Sequence, residues 1–599
     1  MTGLVTTGVL SVRRGGWRRR AAAVCMVLAG LLAGGVALAG PALAHAELAS
    51  SDPADSARLA AAPQSVTLRF TESVGLELGY LRVVDGTGDR VDTGQVTHAD
   101  GDPSAASVGL RSGLSDGSYI VSWRVLSADS HPVAGAYSFV VGDGPLAPVD
   151  AAAPGAGAAV DGAVSALFAL TRWVGFAGLV LLVGGAAFLV LVWPTGRGEP
   201  RVRRLVWTGW GLTTASTALS LPLESLYASG QGLGRLLDTS LLDPTLHGNY
   251  GRMLSVRLVA LAVLALLVGH VINSPSEQDD DGERSWQIDT GAMVALVVFV
   301  TYAASGHAAT GIQSPLAVLS DTLHLAAMAT WIGGVVMLAA CLLPRGGSME
   351  LARALPVFSR LAVVCVATLV VTGLYQTWRQ VGTPPALWST AYGRLLLAKI
   401  VVFVALVGLG YLSHIAVRRR YVLPTVRALA AAPGAVRLVE DLPDGPPDPR
   451  DEATVRTRLR RSVGLEVLIA VVVLALTAVL VNQAPARQTY SPTFGQTITL
   501  SGGGSVQVEL SPVRTGPNEL HLYVYGRDGK PFDPREVTAT AALPQRELGP
   551  LPVDLRHAGV GHYLNTALAL PAAGGWQIRV SVRTSEFDQS TATAKVTVK

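Results

Sequence analysis

Eight stretches of this chain stay apolar for about 20 residues each, the length a helix needs to cross the hydrocarbon of a bilayer. They run roughly over 165–193, 203–223, 253–273, 289–305, 315–343, 355–378, 393–416 and 462–482. In lipid every backbone amide and carbonyl must be satisfied internally, so stretches of this kind are restricted to helices. The chain is therefore expected to be a multi-pass membrane protein built on an eight-helix bundle. Its composition agrees: half of the 599 residues are hydrophobic and 15% are charged. The net charge of +4 is small for this length, and the basic residues sit mostly at helix ends, so they report topology and give no nucleic-acid signal. Of three cysteines, Cys25 precedes the mature chain and Cys341 and Cys365 fall in apolar stretches. There is no CxxC, so a disulfide framework, a zinc ribbon and a thiol redox site have no support.

The N-terminus reads as a secretory signal over residues 1–44. Arg13, Arg14, Arg18, Arg19 and Arg20 are followed by an apolar run from Ala21 to Ala39. Ala42 and Ala44 then form the small-residue cleavage pattern directly before His45. Secretion puts residues 45–143 outside, and eight crossings return the C-terminus to the same side. The positive-inside rule supports this in three loops: Arg197, Arg201, Arg203 and Arg204; Arg345, Arg353 and Arg360; and ten arginines from Arg418 to Arg461. The loop 274–288 holds Glu277, Asp279, Asp280, Asp281 and Glu283 instead, but acidic residues count little in that rule.

Residues 45–143 alternate as short strands at Ser65–Phe70, Tyr80–Asp85, Ser118–Ser127 and Ala136–Val141, separated by turn residues such as Asp85-Gly86-Thr87-Gly88. A small β-sandwich or Greek-key barrel is expected there. A Gly/Ala/Pro linker over 144–162 leads to the membrane domain, 163–483. Residues 488–599 alternate again, at Gln496–Leu500, Val506–Leu510, Leu520–Tyr525, Trp576–Val582 and Ala592–Val598. The fold class is thus mixed, an eight-helix transmembrane bundle with an exported β domain at each end.

Signal cleavage would give His45 a free α-amine beside its imidazole, two nitrogens able to chelate one ion. Asp129-Ser130-His131-Pro132 supplies partners, because positions i and i+2 of an extended segment face the same way. Proline after the histidine stiffens the backbone and suits a strand end. A nitrogen-rich set with one carboxylate suits Cu(II) better than Mg(II) or Ca(II), with zinc the competitor that ligand type leaves open. The α-amine titrates near pH 8, so a metal displaces its proton at modest cost. The plainer alternative for Asp129 and His131 is a polar turn and a surface histidine.

Ionisable residues inside membrane spans are functional candidates by default. The topology above collects Glu224, His307, Asp321 and His324 in the outer half of the bundle. On the fifth stretch Asp321, His324, Met328 and Trp331 fall along one helical face. A carboxylate, an imidazole and a thioether on one stripe can pass a soft cation. The competing reading is that Asp321 and His324 bond neighbouring helices and Met328 packs.

The segments His45-Ala46-Glu47-Leu48, Ser51-Asp52-Pro53-Ala54, Val66-Thr67-Leu68-Arg69-Phe70-Thr71-Glu72 and Ser127-Ala128-Asp129-Ser130-His131-Pro132-Val133-Ala134-Gly135 resemble the CopC family of periplasmic copper-binding proteins. That resemblance implies Cu(II) held by His45, Asp129 and His131. The methionine-rich Cu(I) site of some CopC proteins is not expected, because the β domain contains no methionine. Asp321-Thr322-Leu323-His324-Leu325-Ala326, Trp331-Ile332-Gly333-Gly334, Phe358-Ser359-Arg360, Thr372-Gly373 and Tyr392-Gly393-Arg394-Leu395-Leu396 are similar to the CopD family of membrane copper proteins, and the whole looks like a YcnJ-type fusion of the two. The fusion implies a copper-binding protein of a bacterial cell membrane, and the tether raises the effective concentration of loaded β domain at the bundle.

The expected function is capture of Cu(II) outside and passage of copper to or across the membrane, with Cu(I) as the candidate species inside the bundle. Import is favoured because the capturing site faces the supply. No P-loop or Asp-Lys-Thr-Gly motif appears, and no enzymatic constellation is read. A second reading is electron transfer through haem, with His307 and His324 as one pair and His270 and His414 as the other. A third is a non-transporting copper sensor or scaffold. His521, His557 and His562 show no ligand spacing and read as structural.

Overall fold

The computed structural model describes residues 48–127 except 56, and 132–144, 161–273, 281–310, 313–417, 449–490 and 492–598. The signal segment 1–44 and almost all of the linker lie outside those residues.

In the N-terminal β region the alternation seen in the sequence becomes two four-stranded sheets. The strands are β1 (Leu48–Asp52), β2 (Arg58–Leu59), β3 (Ser65–Phe70), β4 (Val74–Asp85), β5 (Asp92–Thr97), β6 (Ala105–Leu110), β7 (Gly117–Ser127) and β8 (Pro132–Val141). One sheet runs β1-β3-β6-β5 and the other β2-β8-β7-β4. Every second residue turns inward: Val66, Leu68, Leu81, Val83 and Val121 are fully buried. Two charged side chains go inside as well. Asp92 accepts from the Val83 and Gly94 amides at 3.0 and 2.9 Å and from Arg90 Nε at 2.8 Å. Burial raises its carboxyl, but these donors outweigh it and hold it below the usual carboxylate value of 3.8.

The helical region contains eight long helices among the described residues: α1 (Gly162–Leu191), α2 (Pro200–Ser229), α3 (Asn249–Asn273), α4 (Asp281–Ala304), α5 (Ser314–Arg345), α6 (Ser348–Val381), α7 (Ala391–Val417) and α8 (Pro449–Leu480). Seven are long and apolar enough to cross a membrane, and α2 is the exception. Its inward stripe is hydroxylated, with Thr213, Ser216, Thr217 and Ser220 all buried. The hydroxyls donate to carbonyls one turn back, Thr213 to Gly209 at 2.8 Å and Thr217 to Thr213 at 2.7 Å, so they are satisfied without water. Small side chains let α1 and α2 approach closely: a Cβ on Gly178 would collide with Thr213. A tighter contact joins α1 to α5. A Cβ on Gly184 would strike the Ala329 carbonyl, and one on Gly333 the Val180 carbonyl. Helix α4 begins at Asp281, so part of the acidic stretch expected to be loop is helical. Hydropathy marks the part of a helix that suits lipid, and the helix itself continues past it.

The C-terminal β region forms a five-stranded sheet, β14-β15-β11-β10-β9, and a four-stranded one, β13-β12-β16-β17. Its strands are β9 (Phe494–Thr499), β10 (Ser505–Ser511), β11 (Gly516–Tyr525), β12 (Glu536–Leu543), β13 (Leu548–Val553), β14 (Arg556–Gly559), β15 (His562–Leu570), β16 (Gly574–Arg583) and β17 (Gln589–Val598). Its core is apolar and centred on Trp576, which is fully buried and donates from its indole to the Ala572 carbonyl at 2.8 Å.

Candidate functional site

His45, Asp129 and His131 lie outside the described residues. The segment 128–131 joins β7 to β8, and the strands around it are braced. A Cβ on Gly135 would collide with the Trp123 ring, so glycine is what lets this aromatic lie against β8. The Tyr137 hydroxyl donates to the Pro53 carbonyl at 2.8 Å, tying β8 to the chain just after β1. On β7, the buried Arg124 donates to the Ala228 and Tyr227 carbonyls at 2.9 and 3.1 Å. Those carbonyls belong to the last turn of α2, where a cation is favoured by the helix dipole.

Glu224, His307, Asp321, His324 and Met328 all line one cavity of about 450 Å³ in the helical region. The other lining follows a rule. Arg172 comes early in α1, Glu224 late in α2, Arg257 early in α3, Tyr302 late in α4, Asp321 and His324 early in α5, Gln376 late in α6, Lys399 early in α7 and Thr477 late in α8. Odd-numbered helices contribute mainly their first halves and even-numbered ones their second halves.

His324 is the best-oriented of the candidates. Its Nδ1 is 2.8 Å from the Thr372 hydroxyl, and that hydroxyl donates its own proton to the Thr368 carbonyl at 2.7 Å. Thr372 therefore accepts from His324, which assigns the proton to Nδ1 and the lone pair to Nε2. This is how ligating histidines are commonly oriented by their surroundings. Asp321 accepts from Gln376 Nε2 at 2.6 Å. The segment after α4 is held by Arg379, which donates to the His307 carbonyl at 2.8 Å and also to the Thr310 carbonyl. Met328 is 9% exposed and lines the same cavity.

Among the described residues, no group of three or more His, Cys, Asp and Glu side chains is already set around a single point as a metal site. The cavity also contains basic groups that the sequence reading passed over. Arg257 lies 3.5 Å from the Tyr302 ring centre and donates to the Thr301 carbonyl at 3.0 Å; Arg172 sits 4.2 Å over Phe168; Lys399 lines the wall on α7. All three stand in apolar stretches, so a scan for any charge inside a span finds them. The same scan finds Glu466 on α8, buried and accepting from Ser413 at 2.6 Å. His270 and His414 do not line the cavity; His270 is exposed, and His414 bonds Ser359.

The C-terminal histidines fall into two groups. His557 pairs with Asp533 at 2.9 Å. His521 and His562, far apart in sequence, meet across β11 and β15 with ring nitrogens 2.9 Å apart. Burial first, and then the neighbouring His521, hold the His562 imidazole below the usual histidine range.

Three family models match the chain: the CopC domain over residues 48–142, the N-terminal domain of copper resistance protein D-like proteins over 163–314, and copper resistance protein D over 352–480. The chain is 25% identical over 558 residues to the copper transport protein CutJ of Bacillus subtilis (strain 168), covering 91% of this chain and 94% of that one. Its N-terminal part is 36% identical over 126 residues to copper resistance protein C of Escherichia coli, 19% of this chain and 94% of the relative. It is also 34% identical over 98 residues to the protein YobA of Escherichia coli (strain K12), 16% of this chain and 79% of the relative. The motif resemblances to CopC and CopD thus agree with the matched models.

Proposed function

The chain belongs to the copper resistance and transport family that joins CopC and CopD domains in one polypeptide, and on that basis we propose that it captures Cu(II) outside the cell membrane and passes copper inward through the bundle. Capture uses the α-amine and imidazole of His45, with Asp129 and His131, after removal of residues 1–44. Working boundaries are 45–143 for the capturing domain, 144–162 for the linker, 163–483 for the membrane domain and 488–599 for the second exported domain.

The observation that carries this reading is the cavity. Five residues chosen for their chemistry line it together, and His324 presents a lone-pair nitrogen held by Thr372. The alternation of first and second helix halves around it supports eight antiparallel crossings, with α2 crossing inside the bundle where its hydroxyls are satisfied. Both β regions then lie on the outer side. The basic groups in the wall favour Cu(I) over Cu(II) within the membrane, because repulsion by a fixed cation scales with the charge of the ion. His324, Asp321 and Met328 offer it an imidazole, a carboxylate and a thioether, with His307 and Glu224 nearby on the lining.

Copper accumulation in cells producing the chain tests transport. Wild type is expected to raise cellular copper, His324→Ala to abolish the rise, and His131→Ala to reduce it most at low external copper. Accumulation equal to that of cells lacking the chain would sink transport, and a fall below it would reverse the direction. Capture is tested by adding one residue before His45, which is expected to weaken Cu(II) binding at least about tenfold, or ~1.4 kcal/mol. Unchanged affinity removes the amine from the site.

A further inference from the structure

The face of β11 that turns away from the core carries a histidine pair. Leu520, Leu522 and Val524 are fully buried, so strand alternation sends Glu519, His521 and Tyr523 to the opposite side. On β15, His562 pairs with Tyr523 and Leu564 with His521, which makes His562 the diagonal neighbour of His521 on that side. The rings lie nearly parallel, 17° apart with centres at 5.2 Å, and Tyr523 stacks on His562 at 4.5 Å.

His521 uses its two nitrogens differently. Nε2 is 3.2 Å from Glu519 Oε1, and Nδ1 is 2.9 Å from Nε2 of His562. The carboxylate favours a proton on Nε2, which leaves a lone pair on Nδ1. A carboxylate behind a histidine is the usual arrangement for fixing the tautomer and raising the basicity of a metal ligand. The separation fits as well: two nitrogens at right angles around an ion, each about 2.0–2.1 Å away, are roughly 2.9 Å apart. Glu509 stands opposite His521 on β10, and the His521 and Glu519 side chains are 26% and 48% exposed, so an ion and its waters have access.

We propose that His521 Nδ1 and His562 Nε2 form a surface site for one Cu(II) ion on the C-terminal β region, with Glu519 orienting His521. In the metal-free protein the two nitrogens share one proton. Binding takes the other tautomer of His562, its proton moved through solvent from Nε2 to Nδ1, so that both lone pairs take the ion. Water completes the coordination, with Glu509 the nearest carboxylate across the strand pair. Two imidazoles favour Cu(II) over the other common divalent ions. The site shares no residue with the capturing site or the cavity and does not depend on either.

The test uses full-length protein in detergent, stripped with chelator and titrated with Cu(II). Bound copper is counted by equilibrium dialysis, and its ligands are read by electron paramagnetic resonance. His521→Ala and His562→Ala are each expected to lower the count by about one ion per chain, with loss of a two-nitrogen spectrum. Glu519→Gln should weaken that ion by about tenfold while the saturating count stays. His131→Ala keeps this ion whether or not the capturing site exists, so the two readings fail separately. His521→Gln keeps a polar side chain on the strand and must lose the ion too, with hydrogen-exchange protection of β11 and β15 unchanged. Equal counts and spectra in wild type and both histidine variants overturn the proposal.

Discussion

Among the described residues, the N-terminal β region buries two charged side chains, Asp92 and Arg124, whereas the C-terminal one buries none and encloses a single polar side chain, Asn518. Asn518 is neutral and bonds the Arg514 and Gly516 carbonyls at 2.8 Å. The two regions share a two-sheet scaffold, so the scaffold does not decide where charge goes. In the first, charge is used inside, to join strands and to grip the end of α2. In the second the interior is dry, and its histidines face water. A charged interior makes a region sensitive to protons, and a dry one places its titratable chemistry on the surface.

The largest effect is expected in the dry core. Trp576→Ala removes a fully buried ring and should cost about 3–5 kcal/mol. Hydrogen exchange should show the loss in β12, β16 and β17 and leave the N-terminal strands protected; equal loss in both regions would mean that they unfold as one unit. Next comes Arg124→Ala, which strips two charge-assisted bonds from the end of α2 and should cost about 3 kcal/mol. Faster exchange at 226–229 is the readout, and Arg124→Lys should recover only part of it because lysine lacks the fork.

Asp92→Asn is expected to cost about 1–3 kcal/mol, since the amide cannot serve the Val83, Gly94 and Arg90 donors together. The same carboxylate gives the comparison a pH test. Its folded pKa is lowered, so its stabilising effect is present at neutral pH and disappears as pH falls below the ordinary value of 3.8. Acid should therefore unfold the N-terminal region with a component that Asp92→Asn abolishes. An unchanged acid profile in that variant would move the sensitivity elsewhere.

The sequence showed the helices well and the polar contacts poorly, for a physical reason. Apolar runs and strand alternation are local patterns, and they located the long helices, although α2 falls short of the apolarity of a membrane span, and the strands Ser65–Phe70 and Val506–Leu510. Asp321, His324 and Met328 were also legible, because helical spacing puts them on one face. His521 and His562 were not: they meet through the register of β11 and β15, which no spacing along the chain encodes. Lys399 and Arg257 were visible as charges inside apolar runs, but only packing reveals that they line the same cavity as Asp321. The tautomer of His324 depends on where the Thr372 hydroxyl sends its proton, a fact of three dimensions alone.

The backbone contact at Gly184 and Gly333 has a mechanical consequence. With carbonyls of α1 and α5 filling the space that a methyl would need, these helices cannot slide or roll past each other without collision. The wall bearing Asp321, His324 and Met328 is therefore a door frame. Any widening of the cavity has to come from its other lining helices, such as α7 with Lys399 and α8 with Thr477.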